Sequence, residues 1–371
     1  LKQWFEELWN AGPDWVEDVK ERVLADLREL YMDTAPEFVY FKTLYHVFSK
    51  FLEDQGTSGL LDERTGFFDS EVWNKLYVFQ KDGVKGANNK VRRHGGCIIA
   101  DSVGLGKTFE ALAVIKYFEL LNKNVLVLCP KKLAPNWTVY QSRMGSTLNP
   151  FTKDRFQYAV MCHSDLGRTS GVSSPNAIPL DQVNWGAYDL VVIDESHNFK
   201  GNPKERELED GSRKINRAHF LLEEVIKKGV RTRVLLLSAT PVNNNLRDLR
   251  NQINLIAGGS EQGLFETTGV ANIGETLRLA QTQFTQWADP THKDRQVRGL
   301  LEKLDSAFFR LLDELTIARS RSHVKRFYAG SDAGEFPKRD KPVSIYPKIV
   351  LDERFPSYDA INTKISGYKL A

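Results

Sequence analysis

Asp101-Ser102-Val103-Gly104-Leu105-Gly106-Lys107-Thr108 decides how the chain is read, because the apolar run Cys97 to Ala100 comes directly before it and a helical stretch, Phe109 to Leu121, directly after. Strand, glycine-containing turn and helix in that order make a phosphate cradle: backbone N–H groups of the turn and the positive end of the helix face phosphate oxygens. Lys107 would then reach β- and γ-phosphates, and Thr108 would hold Mg²⁺. The common pattern G-x-x-x-x-G-K-[ST] has glycine where this chain has Asp101, so the stretch needs support from elsewhere in the chain.

Support comes from further apolar runs, at Val125 to Cys129, Ala159 to Cys162, Leu190 to Ile193 and Val234 to Leu237. Short, non-alternating runs separated by amphipathic stretches predict an α/β fold with buried, mostly parallel strands flanked by helices. Leu190 to Ile193 ends in Asp194-Glu195-Ser196-His197. Beside a phosphate cradle, one acid at the tip of a neighbouring strand can hold the Mg²⁺ shell and a second can polarise the attacking water. Asp194 and Glu195 fit those roles, with Lys107 as the third catalytic group. Leu235-Leu236-Leu237 ends in Ser238-Ala239-Thr240-Pro241, hydroxyl residues that can bond to acids of the neighbouring strand or cap a turn.

Composition sets the outer bounds. With 371 residues, 41% hydrophobic and 27% charged, and a mean hydropathy of −0.39, the chain reads as a soluble globular protein of two domains, or one with appendages. Disorder and collagen-like architecture are excluded. A net charge of +3 supplies no global basic field, so any nucleic-acid contact must rest on local residues. Cys97, Cys129 and Cys162 are widely spaced, which argues against a disulfide framework or a cysteine zinc site and suits a reducing cytoplasm. No apolar run approaches the ~20 residues of a membrane span. Helical stripes at Val16, Val19, Val23, Leu27 and Leu30 and at Phe41, Leu44, Tyr45, Phe48 and Phe51 predict an N-terminal helical region. Gly167 to Asn176 and the charged stretch Lys200 to Arg217 read as surface loops. Residues 257–318, ending in the stripe Leu300, Leu304, Phe308 and Leu311, read as a helical insertion or extension. Because the chain begins at Leu1, it is expected to be cut from something longer.

Taken in order, these segments resemble the motifs of Swi/Snf-like superfamily-two helicases and translocases, in whose phosphate loop an aspartate at the Asp101 position is the rule. Asp194-Glu195-Ser196-His197 is similar to a DEAH-type box, and Ser238-Ala239-Thr240-Pro241-Val242-Asn243-Asn244 to motif three. Phe79-Gln80-Lys81-Asp82-Gly83-Val84 resembles the adenine-reading Gln motif, and Val127 to Lys131 with Asn136-Trp137 resembles motif Ia. The resemblance covers about Leu76 to Leu255, with a tail at Arg319-Ser320-Arg321-Ser322 and Phe336-Pro337-Lys338-Arg339 similar to the segment leading out of a first motor lobe. Trp4 to Trp9 followed by Tyr40 to Phe48 is similar to the stretch joining a phospholipase-D-like domain to the motor in some bacterial proteins; that domain's His-Lys-Asp motif is missing here.

The resemblance implies a RecA-like lobe that binds ATP and Mg²⁺. Gln80 would read adenine; Gly104, Leu105, Gly106, Lys107 and Thr108 would cradle the phosphates, with Thr108 and Asp194 on the metal. His197, Ser238 and Thr240 would couple nucleotide state to DNA, which Lys131 and Ser164 would contact. The expected organisation is a helical region or linker over 1–70, the ATP-binding lobe over 71–256, the insertion or extension over 257–318, and over 319–371 a linker toward a second RecA-like lobe. The 31 residues after Asp340 are too few to hold that lobe. Its arginine fingers would be worth roughly 10³–10⁵ in rate, so the implied activity is a DNA-dependent, translocating ATPase, acting on duplex DNA and weak in this chain alone. Two other P-loop classes fit worse. A GTPase would need Asn-Lys-x-Asp, and the pair Asn89-Lys90 lacks the Asp and lies upstream; a small-molecule kinase leaves the Asp-Glu-Ser-His box unexplained. A catalytically silent nucleic-acid or protein-binding scaffold is the alternative from another class, against which Lys107, Asp194 and Glu195 all stand.

Overall fold

The computed structural model describes residues 61 and 63–328 apart from 143–146, 169, 200, 202, 204, 208–212, 230, 240–245 and 289–296, together with residue 361. The chain divides into two units, residues 1–333 and 334–371, and the fold described belongs to the first. The N-terminal helical stripes, Thr240 and Phe336 to Arg339 lie outside the described residues.

All five apolar runs become strands: β1 Gly96–Ile99, β2 Val125–Cys129, β3 Ala159–Cys162, β4 Leu190–Ile193 and, after a hairpin, β7 Arg233–Leu237. They join a six-stranded sheet in the order β3-β2-β4-β7-β1-β8, every pair parallel. β1, β2 and β4 are buried at every residue, the mark of a sheet covered on both faces and the reason their sequence does not alternate. Helices α1 Glu71–Lys75, α2 Val78–His94, α3 Lys107–Leu120 and α4 Ala134–Thr138 surround the first half of the sheet. α2 packs on β1 and β7, and α3 on β2 and β4. Gly95, at φ +84°, ends α2 in the left-handed conformation, behind a last turn of Arg92, Arg93 and His94 that suits the negative end of the helix.

The structure differs from the sequence reading in two places. The charged stretch 200–217 is not only loop: β5 Glu205–Glu207 and β6 Arg213–Ile215 form an antiparallel hairpin, after which α5 Arg217–Phe220 runs into a π-helical segment, Leu221–Lys227. Glu205-Arg206-Glu207 and Arg213-Lys214-Ile215 hold one apolar residue in six and leave no apolar pattern to read. The sixth strand comes from the stretch read as an insertion. After α6 Leu246–Ile256, α7 Phe265–Thr268 and α8 Ile273–Ala288, the stripe Leu300, Leu304, Phe308 and Leu311 divides between α9 Val297–Lys303 and α10 Ser306–Leu315, with Asp305 capping the second.

α10 is held to α2 by Lys90, which donates to the Asp313 carbonyl, and by Glu314, 2.9 Å from His94 Nε2 and 3.6 Å from Arg93. It delivers β8, Thr316–Ile317, into register with Ile98 and Ile99. The lobe therefore continues past residue 256 to the start of α11, Arg321–Phe327.

Two buried histidines give the fold an acid limit. Burial holds His163, on the turn after β3, at about 4, and His323, on α11, also at about 4. Below ~6.5 the unfolded chain takes up protons that the folded chain refuses, so stability is lost as pH falls from about 6.5 toward 4. Each histidine should cost about 2 kcal/mol by pH 5. Urea denaturation at pH 7.5 and pH 5 should show this loss, and His163→Gln should make it smaller; equal midpoints for the wild-type chain at both pH values would refute it.

Candidate nucleotide site

Because every strand of the sheet is parallel, all six carboxyl ends open on one rim, where open α/β sheets bind their ligands. The loop 101–106 follows β1 there, Lys131 follows β2, Ser164 follows β3, Asp194 and Glu195 follow β4, Ser238 follows β7 and Arg319 follows β8. β7 lies between β1 and β4, so the acids are not on the strand next to the phosphate loop, as the sequence reading had placed them. Ser238 stands on the strand between.

Gly104 and Gly106 take φ +82° and +85°, left-handed values that free the loop to turn its amides outward, and Gly106 starts α3. Lys107 Nζ spans the loop to the Asp101 carbonyl at 2.7 Å. Burial lowers the Lys107 pKa, while Asp101, Glu195, Glu110 and Asp194 hold its proton on. Thr108 follows on the first turn of α3, half-buried. Leu105 is buried, and its carbonyl accepts from Gln80 Nε2 at 2.9 Å. Gln80 Oε1 meanwhile accepts from Tyr77 N–H at 3.0 Å, closing the start of α2. The Gln80 amide thus braces the phosphate loop, using one of its two N–H donors and one of its two acceptor lone pairs.

Asp101, the departure from the common loop pattern, is buried and faces Arg319, which is also buried. Asp101 Oδ1 accepts from Arg319 N–H at 2.9 Å and from Nε at 3.1 Å, and Oδ2 accepts from Nη2 at 2.5 Å. The same Nη2 reaches both oxygens of Glu110, at 2.6 and 2.7 Å, while Nη1 donates to the Phe79 carbonyl and the guanidinium lies over the Phe79 ring at 5.2 Å. Burial acts against the Arg319 charge, but the two carboxylates outweigh it and hold the proton more firmly than usual. Gly83 is glycine for contact reasons: a Cβ there would stand 2.5 Å from Arg319 Nη2 and 2.7 Å from Glu110 Oε2.

At the tip of β4, Asp194 Oδ2 accepts from Trp137 Nε1 and Oδ1 from Glu195 N–H, both at 2.9 Å. Burial raises the Asp194 pKa, against the pull of these two donors and Lys107. Glu195 sits at φ +50°, a left-handed conformation uncommon outside glycine and of the kind found at functional sites. Its Oε2 lies 3.2 Å from His197 Nδ1, and Ser238 Oγ lies 3.4 Å from the same nitrogen. Ser196 turns away, donating to Gln252 Oε1 at 2.7 Å in the core.

A family model described as the SNF2-related domain matches residues 79–268, just over half of the chain. The chain belongs to the SNF2-related family. Among curated relatives, the mouse DNA annealing helicase and endonuclease ZRANB3 is 30% identical over 200 residues, 51% of this chain and 17% of that protein. The Bacillus subtilis protein called uncharacterized ATP-dependent helicase YqhH is 29% identical over 170 residues, 45% of this chain and 27% of its own length. The SNF2-related chain therefore spans less than a third of either relative it matches. A Sulfolobus solfataricus SWI2/SNF2 ATPase core solved in complex with dsDNA is 17% identical, with a TM-score of 0.40 over 67% of this chain and 45% of that one.

In this SNF2-related lobe the sequence-predicted residues fall into two groups. Gln80, Gly104, Leu105, Gly106, Lys107, Thr108, Asp194, Glu195, His197 and Ser238 gather at the loop or at the strand ends beside it. Lys131 and Ser164 are exposed one strand and more away, after β2 and β3, whose ends pair at Cys129 and Cys162. The Thr108 hydroxyl and Asp194 carboxylate are hard oxygen donors of the kind Mg²⁺ takes, and the Trp137 bond orients Asp194 from outside. Sequence reasoning missed Arg319 and Glu110, although an aspartate in place of the loop glycine was a visible sign that something cationic had to meet it. It also missed the Trp137 bond, for which the sequence carries no signal.

Two substitutions check this geometry. Gly83→Ala should destabilise the lobe by about 1–3 kcal/mol, because its methyl is forced into the Arg319–Glu110 contact; urea midpoints measure it. Trp137→Phe should leave the fold standing but weaken Mg²⁺-dependent ATP binding by about 10-fold or more, read by calorimetry with and without EDTA, since outer partners of metal ligands are typically worth about 10- to 100-fold.

Proposed function

We propose that the chain is the ATP-binding lobe of a DNA-dependent ATPase that translocates on duplex DNA and remodels nucleic acid or protein bound to it. The observation that carries this reading is the shared rim: the phosphate loop and Lys107 follow β1, Asp194 and Glu195 follow β4, and Ser238, at the end of β7 between them, lies 3.4 Å from His197. Lys107 neutralises charge on the β- and γ-phosphates, and the loop amides hold the phosphate oxygens in place. Thr108 and Asp194 would hold Mg²⁺, which would supply positive charge to offset that of the phosphates. Glu195 orients a water toward the γ-phosphorus and takes its proton, and ADP leaves from the opposite side. Gln80 would read adenine with its second Nε2 hydrogen and the second lone pair of Oε1.

His197 is the junction through which nucleotide state passes, because Glu195 and Ser238 meet at the same one of its two ring nitrogens, Nδ1. Lys131 and Ser164, on the same rim, contact the phosphate backbone of one DNA strand. A second RecA-like lobe of the parent protein would bring arginines to the γ-phosphate, so turnover by this lobe is expected to be slow. Membrane contact forms no part of the reading; among the described residues no helix is long and apolar enough to cross a membrane.

Steady-state ATP hydrolysis with and without duplex DNA, alongside Mg²⁺-dependent ATP binding, tests the reading. Binding with turnover well below one per second is expected, and Lys107→Ala should abolish both. Fast DNA-stimulated turnover lost in Lys107→Ala would mean that the chain completes its own site. No binding at any ATP concentration up to millimolar would return the reading to a silent scaffold.

A further inference from the structure

β8 brings a second arginine to the phosphate loop. After Arg319 is fixed against Asp101, the chain stays beside the loop for one more bond, Ser102 N–H to the Arg319 carbonyl at 2.9 Å, before Ser320 caps α11. Arg321, the first residue of that helix, turns its guanidinium back over the loop, where Nη2 donates to the Val103 carbonyl at 3.2 Å. It comes so close to Gly104 that a Cβ there would stand 2.9 Å from the same nitrogen. The cation therefore lies against the loop at Val103 and Gly104, yet it arrives from a segment 218 residues further along the chain.

We propose that Arg321 is a nucleotide-contacting residue, supplied in cis by the segment leaving the sixth strand, that binds a phosphate oxygen of the nucleotide held in the loop. The proposal rests on the ATP-binding reading above. Two further observations favour a phosphate as its target. The phosphate loop already carries two acids beneath it, Asp101 and Glu110, which share the one buried Arg319, so a second guanidinium beside the loop adds positive charge where a polyphosphate would sit. A guanidinium also carries five N–H donors in a planar fork, a geometry that matches phosphate oxygens better than an ammonium does.

Arg319 has the supporting role. Its several bonds to Asp101 and Glu110 fix where β8 ends and so where Arg321 begins. Nucleotide in the loop would then be felt by α11 through Arg321, two residues from an anchor that does not move.

The test uses the 371-residue chain and measures Mg-ATP and Mg-ADP affinity by calorimetry for wild type, Arg321→Ala, Arg321→Lys and Lys107→Ala, with melting temperatures recorded without nucleotide. Arg321→Ala should bind both nucleotides about tenfold more weakly at an unchanged melting temperature, with Arg321→Lys between it and wild type. Equal affinity of Arg321→Ala and wild type would overturn the proposal while leaving the ATP-binding reading intact. A lowered melting temperature in Arg321→Ala, with Arg321→Lys equally weak, would also overturn it by making the arginine structural. Failure of the wild-type chain to bind either nucleotide would instead remove the ATP-binding reading, and this inference with it.

Discussion

Parallel pairing of the six strands is the constraint on which the rest of the lobe depends. An antiparallel partner would send one strand end to the opposite edge of the sheet; here every strand points the same way, so segments as distant as Asp101, Asp194, Ser238 and Arg319 emerge on one rim. The cost of that arrangement is the long crossovers that parallel strands require. Helices α2, α3, α6 and α10 pack on the sheet and cover it, which is why the strands can be apolar on both faces. The site exists because the hydrophobic core dictates the direction of its strands.

The phosphate loop is pinned from beneath by a buried charge cluster. Arg319, Asp101 and Glu110 are each removed from water, and a buried ion left without its partner costs roughly 3–5 kcal/mol. Such a cluster is poor evidence for high stability, since apolar side chains of similar volume often serve as well. What it supplies is position. Three groups on Arg319 reach the Asp101 carboxylate, and Gly83 makes room by lacking a side chain, so the loop and the end of β8 can adopt one arrangement relative to each other. In most phosphate loops a glycine at the Asp101 position is a matter of backbone freedom; here the position carries a side chain because the chain needs an anion there.

The acidic tip of β4 is prepared in the same sense. Asp194 is held by Trp137 and by its neighbour's N–H, and Glu195 is held in an uncommon backbone conformation that turns its carboxylate toward His197. Trp137 belongs to α4, which follows directly on the turn that carries Lys131. A rigid indole therefore joins the rim after β2 to the acid that suits Mg²⁺, and a disturbance at Lys131 has a short, well-packed route to Asp194.

Much of this was legible in the amino-acid sequence, because it depends on contiguous residues. Apolar runs announce buried strands, glycines before Lys107-Thr108 announce a turn into a helix, and two acids at a strand end announce a metal-side pair; the five strands and the SNF2-related family followed from such local signals. Only the tertiary structure decided the rest. β8 is two residues long and carries no period, the hairpin over 205–215 is charged on both strands, and the partners of Asp101, Asp194 and Gly83 lie tens to hundreds of residues away. A sequence pattern reports how one segment meets water and its own backbone. Which buried charge meets which depends on how the sheet orders its strands, and that order is set by packing the whole lobe at once.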